Sequence, residues 1–263
     1  MSSVRPIDGT TEVVYVCSPS WQSKLFISLD SLLRSGTQFD RVAIYCVGAR
    51  PASWNFRDSR IAVIEVSPRA EEQLFNEGRF FVNKTYLCRS SAARVVYLDA
   101  DTVVQQPIDN IWRDCTADAI GRPTLRSLEP TWNQGLWAET LRGVGGSERQ
   151  PYLNGGFVIF QNGVHQRLES TWLSLIRMLC ERPALLQQLH GPGTRLAEQL
   201  ALSLSLGLVA RSCQLMSERQ HGFGWLSEPW ESAVVLHTGG ILFDHFAEKL
   251  GLTAEAARQR LIS

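Results

Sequence analysis

A chain of 263 residues, 44% of them hydrophobic, can bury roughly three quarters of its unfolded surface, so one large globular domain is the natural expectation. Lysine plus arginine and aspartate plus glutamate balance at 26 each, which leaves no global electrostatic footprint for nucleic acid or an anionic membrane.

From the start of the chain, Glu12-Val13-Val14-Tyr15-Val16-Cys17 reads as a buried strand that stops at Ser18-Pro19-Ser20. Trp21 to Ser35 then carries Leu25, Ile27, Leu29, Leu32 and Leu33 on a helical face, with Gly36 as its stop. Val42 to Val47 and Ile61 to Val66 read as further strands. The order strand, helix, strand, loop, strand begins a doubly wound α/β fold. The first strand is not followed by Gly-x-Gly-x-x-Gly, which argues against a dinucleotide site. Trp21, just past that strand, suits stacking on a nucleobase and equally suits anchoring the first helix.

Ala70 to Ser91 reads as helical and carries Lys84, one of only three lysines. A cation there would suit a diphosphate, although a solvated helix charge explains it as well. Next, Arg94-Val-Val-Tyr-Leu-Asp-Ala-Asp-Thr-Val-Val104 is a buried strand that opens into two carboxylates. At a strand end, Asp99 and Asp101 can converge on one point beyond the sheet, where ligands of open sheets bind. Two anions there repel unless a cation lies between them, and oxygen ligands suit Mg²⁺ or Mn²⁺. A capping Asp beside a solvated one is the plainer alternative.

Pro107 to Trp112 leaves the sheet and Asp118 to Gly121 returns to it. Arg122 to Pro151 is long and weakly periodic, as functional or mobile connections are, and its Trp132 and Trp137 suit the apolar faces of an acceptor, with simple packing the favoured role of each. Tyr152-Leu153-Asn154-Gly155-Gly156 precedes a strand from Phe157 to Phe160. The paired glycines allow close backbone approach to a ligand, and Asn154 can exchange hydrogen bonds with hydroxyls. Helices are expected at about Leu168 to Cys180 and Thr194 to Ser205, the second with Glu198 and Gln199 near its positive end. The last strand, from Ala233, delivers His237 at its end, followed by Gly239 and Gly240. With an acid pair short of ligands, a metal-binding role for His237 is favoured. A short helix from Thr253, with Arg258 and Arg260 near its end, reads as solvated.

Two chemistries use such an acid pair. Asp99-Ala100-Asp101-Thr102-Val103 fits the nucleophile motif of a haloacid-dehalogenase-like phosphatase, but that class needs a later lysine and a second acidic cluster. After Asp101 only Lys249 is available, with only Glu255 behind it. A metal-dependent sugar transferase, which holds a divalent ion against a diphosphate, is therefore favoured.

Five blocks together resemble the retaining nucleotide-sugar glycosyltransferases of glycosyltransferase family 8: Asn83-Lys84-Thr85-Tyr86-Leu87, Val95 to Val104, Tyr152 to Val158, Glu198-Gln199-Leu200-Ala201-Leu202, and Leu236-His237-Thr238-Gly239-Gly240. The resemblance implies a single glycosyltransferase-A type domain over residues 1–263, with a Rossmann-like mixed central sheet flanked by helices. Its nucleotide-binding half would be about 10–105, its acceptor-binding half about 106–250 and its C-terminal helix about 253–262. It implies Mn²⁺ (or Mg²⁺) on Asp99, Asp101 and His237, and a UDP-sugar as donor. Cys17, Ser18, Trp21, Lys84, Ala100 and Gly240 would join the acids around the nucleotide, while Asn154, Glu198 and Gln199 would face the sugar. The implied reaction is hexose transfer to an unidentified acceptor, which could be a glycan, a lipid-linked molecule or a small molecule, with retention of anomeric configuration. Two departures stand out: Glu198 where the family commonly has Asp, and Phe243-Asp244-His245 where a Lys-Pro-Trp run commonly follows. The second keeps open a degenerate member that binds without transferring.

The six cysteines are dispersed, without Cys-x-x-Cys or a histidine at zinc-ligand spacing, and read as reduced core thiols. The N-terminus lacks the apolar core of a secretory signal. No run reaches the about 18 apolar residues of a membrane span. The expectation is a cytoplasmic protein without a membrane span or nucleic-acid partner, with peripheral membrane contact left open.

Overall fold

A computed structural model describes residues 9–75, 79–191, 193, 196–226 and 230–263. The opening apolar run forms β1 (Thr11–Cys17), buried along its whole length. A 3-10 turn at Pro19–Trp21 leads into α1 (Gln22–Arg34), then β2 (Arg41–Val47) and β3 (Ile61–Val66). The acid segment supplies β4 (Arg94–Leu98) and β5 (Thr102–Val104), followed by α2 (Asp109–Trp112) and β6 (Ala119–Pro123). Next come α3 (Leu125–Leu128), α4 (Gln134–Gly143), β7 (Leu153–Phe160), α5 (Glu169–Cys180), α6 (Pro183–Leu189) and α7 (Ala197–Val209). The chain ends with β8 (Cys213–Leu215), β9 (His221–Phe223), β10 (Val235–His237), α8 (Gly239–Lys249) and α9 (Ala254–Leu261).

Seven strands form the central sheet in the order β3-β2-β1-β4-β7-β6-β8. The first four run parallel, β7 is antiparallel to β4 and β6, and β8 returns parallel to β6. A strand buried on both faces carries a continuous run of apolar side chains, and β1 does so from Val13 to Cys17. Val13, Tyr15 and Cys17 join the core beneath α1, while Val14 and Val16 join the core shared with α5 and α7. A small second sheet, β5-β10-β9, stands beyond the end of β4. No helix among the described residues is long and apolar enough to cross a membrane.

Four expectations change. Ala70 to Ser91 is not α-helical: its described parts are 3-10 turns at Ala70–Leu74 and Arg79–Arg89, because Leu74, Phe75, Phe81, Tyr86 and Leu87 do not hold a 3.6-residue period. The segment from Arg122 to Pro151 is structured. It carries α3 and α4, and Trp132 and Trp137 pack with Tyr152 at centroid distances of 5.6–6.1 Å. Their indole N–H groups donate to Leu189 and Gln150 carbonyls, each at 2.8 Å, so both rings belong to the core rather than to an acceptor. The strand expected from Phe157 begins four residues earlier, at Leu153, and takes the paired glycines into the sheet. At the C-terminus, Arg260 is not merely solvated: it donates twice, at 2.7 Å each, to the buried Asp30 carboxylate on α1. Thr194 lies outside the described residues, and the helix expected from it begins at Ala197.

Candidate active site

Three strand ends assemble the site. At the end of β4 the sheet ladder continues one step, Asp99 N–H donating 2.8 Å to Gly156 O, so the acid pair lies against the Asn154-Gly155-Gly156 segment of β7. The chain then turns, with Thr102 N–H returning to Asp99 O at 3.2 Å, and enters β5. Antiparallel pairing of β5 with β10 sets His237 opposite Thr102. Thr238 reinforces that register by donating to Asp101 O from its N–H at 3.1 Å and its hydroxyl at 3.0 Å.

Asp99, Asp101 and His237 thereby bring one ligand atom each within 4.8 Å of one another. His237 Nε2 stands 3.4 Å from Asp101 Oδ1 and 4.0 Å from Asp99 Oδ2. Two carboxylates and an imidazole nitrogen fit a divalent cation with oxygen and nitrogen donors. Burial pushes the Asp101 carboxyl up, but the His237 imidazole beside it, helped by Lys84, draws it below its ordinary range.

Asp99 is held from behind. Tyr97, two residues earlier on the same strand face, donates its hydroxyl to Oδ1, and Lys84 Nζ lies 2.8 Å from Oδ2. An ionised carboxylate has about four lone-pair sites, so both contacts leave room for a cation. Lys84 also lies 3.4 Å from Glu198 Oε1. Burial alone would lower the Lys84 ammonium, yet the Asp99 and Glu198 charges hold it above its ordinary value. Glu198 is fully buried at the second position of α7, and neither oxygen has a hydrogen-bond partner among the described residues. Burial and the Asp99 charge push its carboxyl up to about 7 against the opposing pull of Lys84. Two carboxylates share one ammonium, and Asp99 has the closer contact.

Gln199, the next residue, accepts from Gly155 N–H at 2.7 Å and donates to the Tyr152 hydroxyl at 3.1 Å. The paired glycines thus serve side chains. A Cβ at Gly155 would make ordinary contact with Gln199, whereas one at Gly156 would overlap the His237 ring.

These residues line a cleft of about 850 Å³. Cys17, Trp21, Lys84, Asp99, Ala100, Asp101, Asn154, Glu198, Gln199, His237 and Gly240 all face it. Ser18 does not, and its hydroxyl pairs with that of Ser20 at 2.6 Å. Trp21 is half-buried and backs onto Gly240, where a Cβ would lie 2.8 Å from its ring. The Phe243-Asp244-His245 run lies on α8 with Phe243 in the core. Lys249, which the phosphatase reading required, sits over the rings of Trp230 and Phe246, away from the cleft.

Sequence reasoning missed four cleft residues of evident chemistry: Lys24, Arg126, His190 and Trp225. Lys24 Nζ donates to Gly240 O and lies 4.8 Å from the Trp21 ring centroid. Nothing local marks these four, because they meet the site through long-range folding. Tyr97 was within reach, since residues two apart on a strand share a face.

No protein-family model matches the chain, and no curated protein matches it in sequence. Solved structures do match. The galactosyltransferase LgtC, solved with donor and acceptor sugar analogues, aligns with a TM-score of 0.61 over 95% of this chain and 100% of its own, at 15% identity. The glycosyltransferase GlyE of Streptococcus pneumoniae gives 0.57 over 95% and 63% of the two chains at 10% identity. The bifunctional glycosyltransferase WbbM gives 0.56 over 97% and 52% at 9% identity. The chain has the glycosyltransferase-A fold, a mixed seven-stranded sheet flanked by helices. Within it stands a candidate Asp-Asp-His metal site.

Proposed function

We propose that this chain is a metal-dependent glycosyltransferase that moves a hexose from a UDP-sugar to an acceptor with retention of anomeric configuration. The observation that carries the reading is the convergence of Asp99, Asp101 and His237 in the cleft of a glycosyltransferase-A fold. Residues of about 10–105 would hold the nucleotide and those of about 106–250 the acceptor.

Breaking the bond between the anomeric carbon and the diphosphate leaves about one additional negative charge on the leaving group. A divalent cation bound here, Mn²⁺ or Mg²⁺, would supply electrostatic stabilisation of that charge. Asp99, Asp101 and His237 would hold it, with Tyr97 and Lys84 keeping Asp99 in place. Cys17, Trp21, Ala100 and Gly240 would bound the nucleotide. The Glu198 carboxyl, which has the Lys84 ammonium 3.4 Å away but whose oxygens accept no hydrogen bond among the described residues, and the Gln199 amide would orient the sugar hydroxyls, since buried oxygens short of hydrogen bonds are a costly arrangement that a ligand can relieve.

A binding module that never transfers would use the same cleft. Measuring UDP release from a panel of UDP-sugars with Mn²⁺ separates the two. Transfer chemistry predicts release from at least one donor, because water slowly replaces a missing acceptor. Measurable UDP binding with no release from any donor would favour the binding module. An inverted anomeric signal in the product, by proton NMR, would remove retention.

A further inference from the structure

An imidazole offers two nitrogens, and a neutral ring carries hydrogen on one of them. In His237 the two face different surroundings. Nε2 points at the carboxylates of Asp101 and Asp99. Nδ1 lies 3.1 Å from Asn154 Oδ1.

The identity of that Asn154 atom follows from a third group. The Gly156 backbone N–H can only donate, and it lies 2.9 Å from the same atom. The atom is therefore the amide oxygen, which can only accept. An acceptor facing Nδ1 requires hydrogen there. Without that oxygen, the two carboxylates would draw the hydrogen to Nε2, the nitrogen that a cation needs free.

We propose that Asn154 is a positioning residue that holds His237 in the Nδ1–H tautomer, so that the Nε2 lone pair is turned toward the space between Asp99 and Asp101. The inference rests on the metal-site reading above and gives Asn154 a role other than hydroxyl binding. The remaining neighbours set the plane of the ring but not its hydrogen. Gly156 leaves the room it occupies. His221 lies behind it with centroids 5.8 Å apart and planes 28° apart, and Trp225 meets it edge-on at 5.2 Å. A ligating histidine whose second nitrogen donates to a fixed acceptor is oriented and made more basic by it, and losing such a partner costs about ten- to hundredfold in metal affinity.

The test reads the hydrogen directly. Nitrogen-15 NMR of histidine-labelled protein, with His237 assigned by its loss in His237→Gln, is recorded metal-free and then with Mg²⁺ and UDP. The expected result is a hydrogen on Nδ1 in both states, with the Nε2 signal moving when Mg²⁺ is added. An Nδ1 without hydrogen in either state overturns the proposal. Titration calorimetry with Mn²⁺ supplies the second readout. Asn154→Leu is expected to bind about ten- to hundredfold more weakly, whereas Asn154→Asp, which keeps the accepting oxygen, binds at least as tightly as wild type. A folded Leu variant with unchanged Mn²⁺ affinity contradicts the proposal, and if that variant does not fold, the wild-type and Asp spectra decide. A protein that binds Mn²⁺ as expected yet transfers no sugar would sink the transferase reading and leave this one standing.

Discussion

Asp99 and Asp101 do unequal work within one site. Asp99 is fastened by Tyr97 and Lys84, while Asp101 is nearly buried and faces His237. Removing either would leave the proposed metal site with too few ligands for a tightly held cation. Asp99→Ala or Asp101→Ala is therefore expected to lower transfer by at least about a hundredfold, the scale of losing one preorganised electrostatic contact. Near-normal turnover at saturating Mn²⁺ would reject the assignment. Glu198 gives a separate prediction that needs no substrate. Its folded value of about 7 lies above its ordinary 4.5, so folding favours the protonated acid. That contribution is full below pH 4.5 and is lost as pH rises through about 7. Buried His165, pushed down to about 4 by burial, has the opposite slope, so the wild-type curve alone mixes the two. The difference between Glu198→Gln and wild type isolates Glu198. In metal-free protein the variant should gain melting temperature relative to wild type between pH 5 and pH 8, and a constant difference across that range would contradict the account.

At the scale of elements, the site depends on registers that single strands do not reveal. β4 and β7 were legible because each contains a buried apolar run, and the acid pair could be placed at the end of β4 for that reason. The last strand was legible through Val234, Val235 and Leu236, which led to His237. β5, β8 and β9 have three residues each, too few for a period of two to show. The meeting of His237 with Asp101 arises from β5–β10 pairing across more than a hundred residues of sequence, which periodicity does not show; the strand-end position of His237 and the acid pair's need for further ligands point to it, and the family resemblance implies it. The segment that carries Lys84 reads as helical in sequence and folds as a 3-10 helix; the charge of Lys84 suits a diphosphate and a solvated face equally, and the family resemblance is what implies its place at the site. α9 supplies a test of packing. Arg260 gives two hydrogen bonds to Asp30, which α1 buries, and half-exposed Arg34 is a weaker second partner at 3.5 Å. Arg260→Ala should cost about 1–3 kcal/mol in urea unfolding, the range for hydrogen bonds to a buried charge. No loss would mean that Arg34 replaces Arg260 fully.

Across the whole molecule, parallel strands on one side and the small sheet on the other deliver chemistry to a single cleft beyond the strand ends, as open α/β sheets do. The chain order scatters these residues from Cys17 to Gly240, and the topology gathers them. Balanced overall charge hid this arrangement: at the proposed metal site two carboxylates, Asp99 and Asp101, stand together with one ammonium, Lys84, on Asp99. That local excess of negative charge is what a divalent cation would neutralise before a diphosphate could enter. The most direct measurement locates that cation. Crystals grown with UDP and Mn²⁺, measured for anomalous scattering at the manganese edge, should show one peak at about 2.0–2.3 Å from Asp99, Asp101 and His237 Nε2, the distance range of divalent-cation ligands. A peak bound elsewhere, or no peak in the cleft with UDP present, would contradict the account.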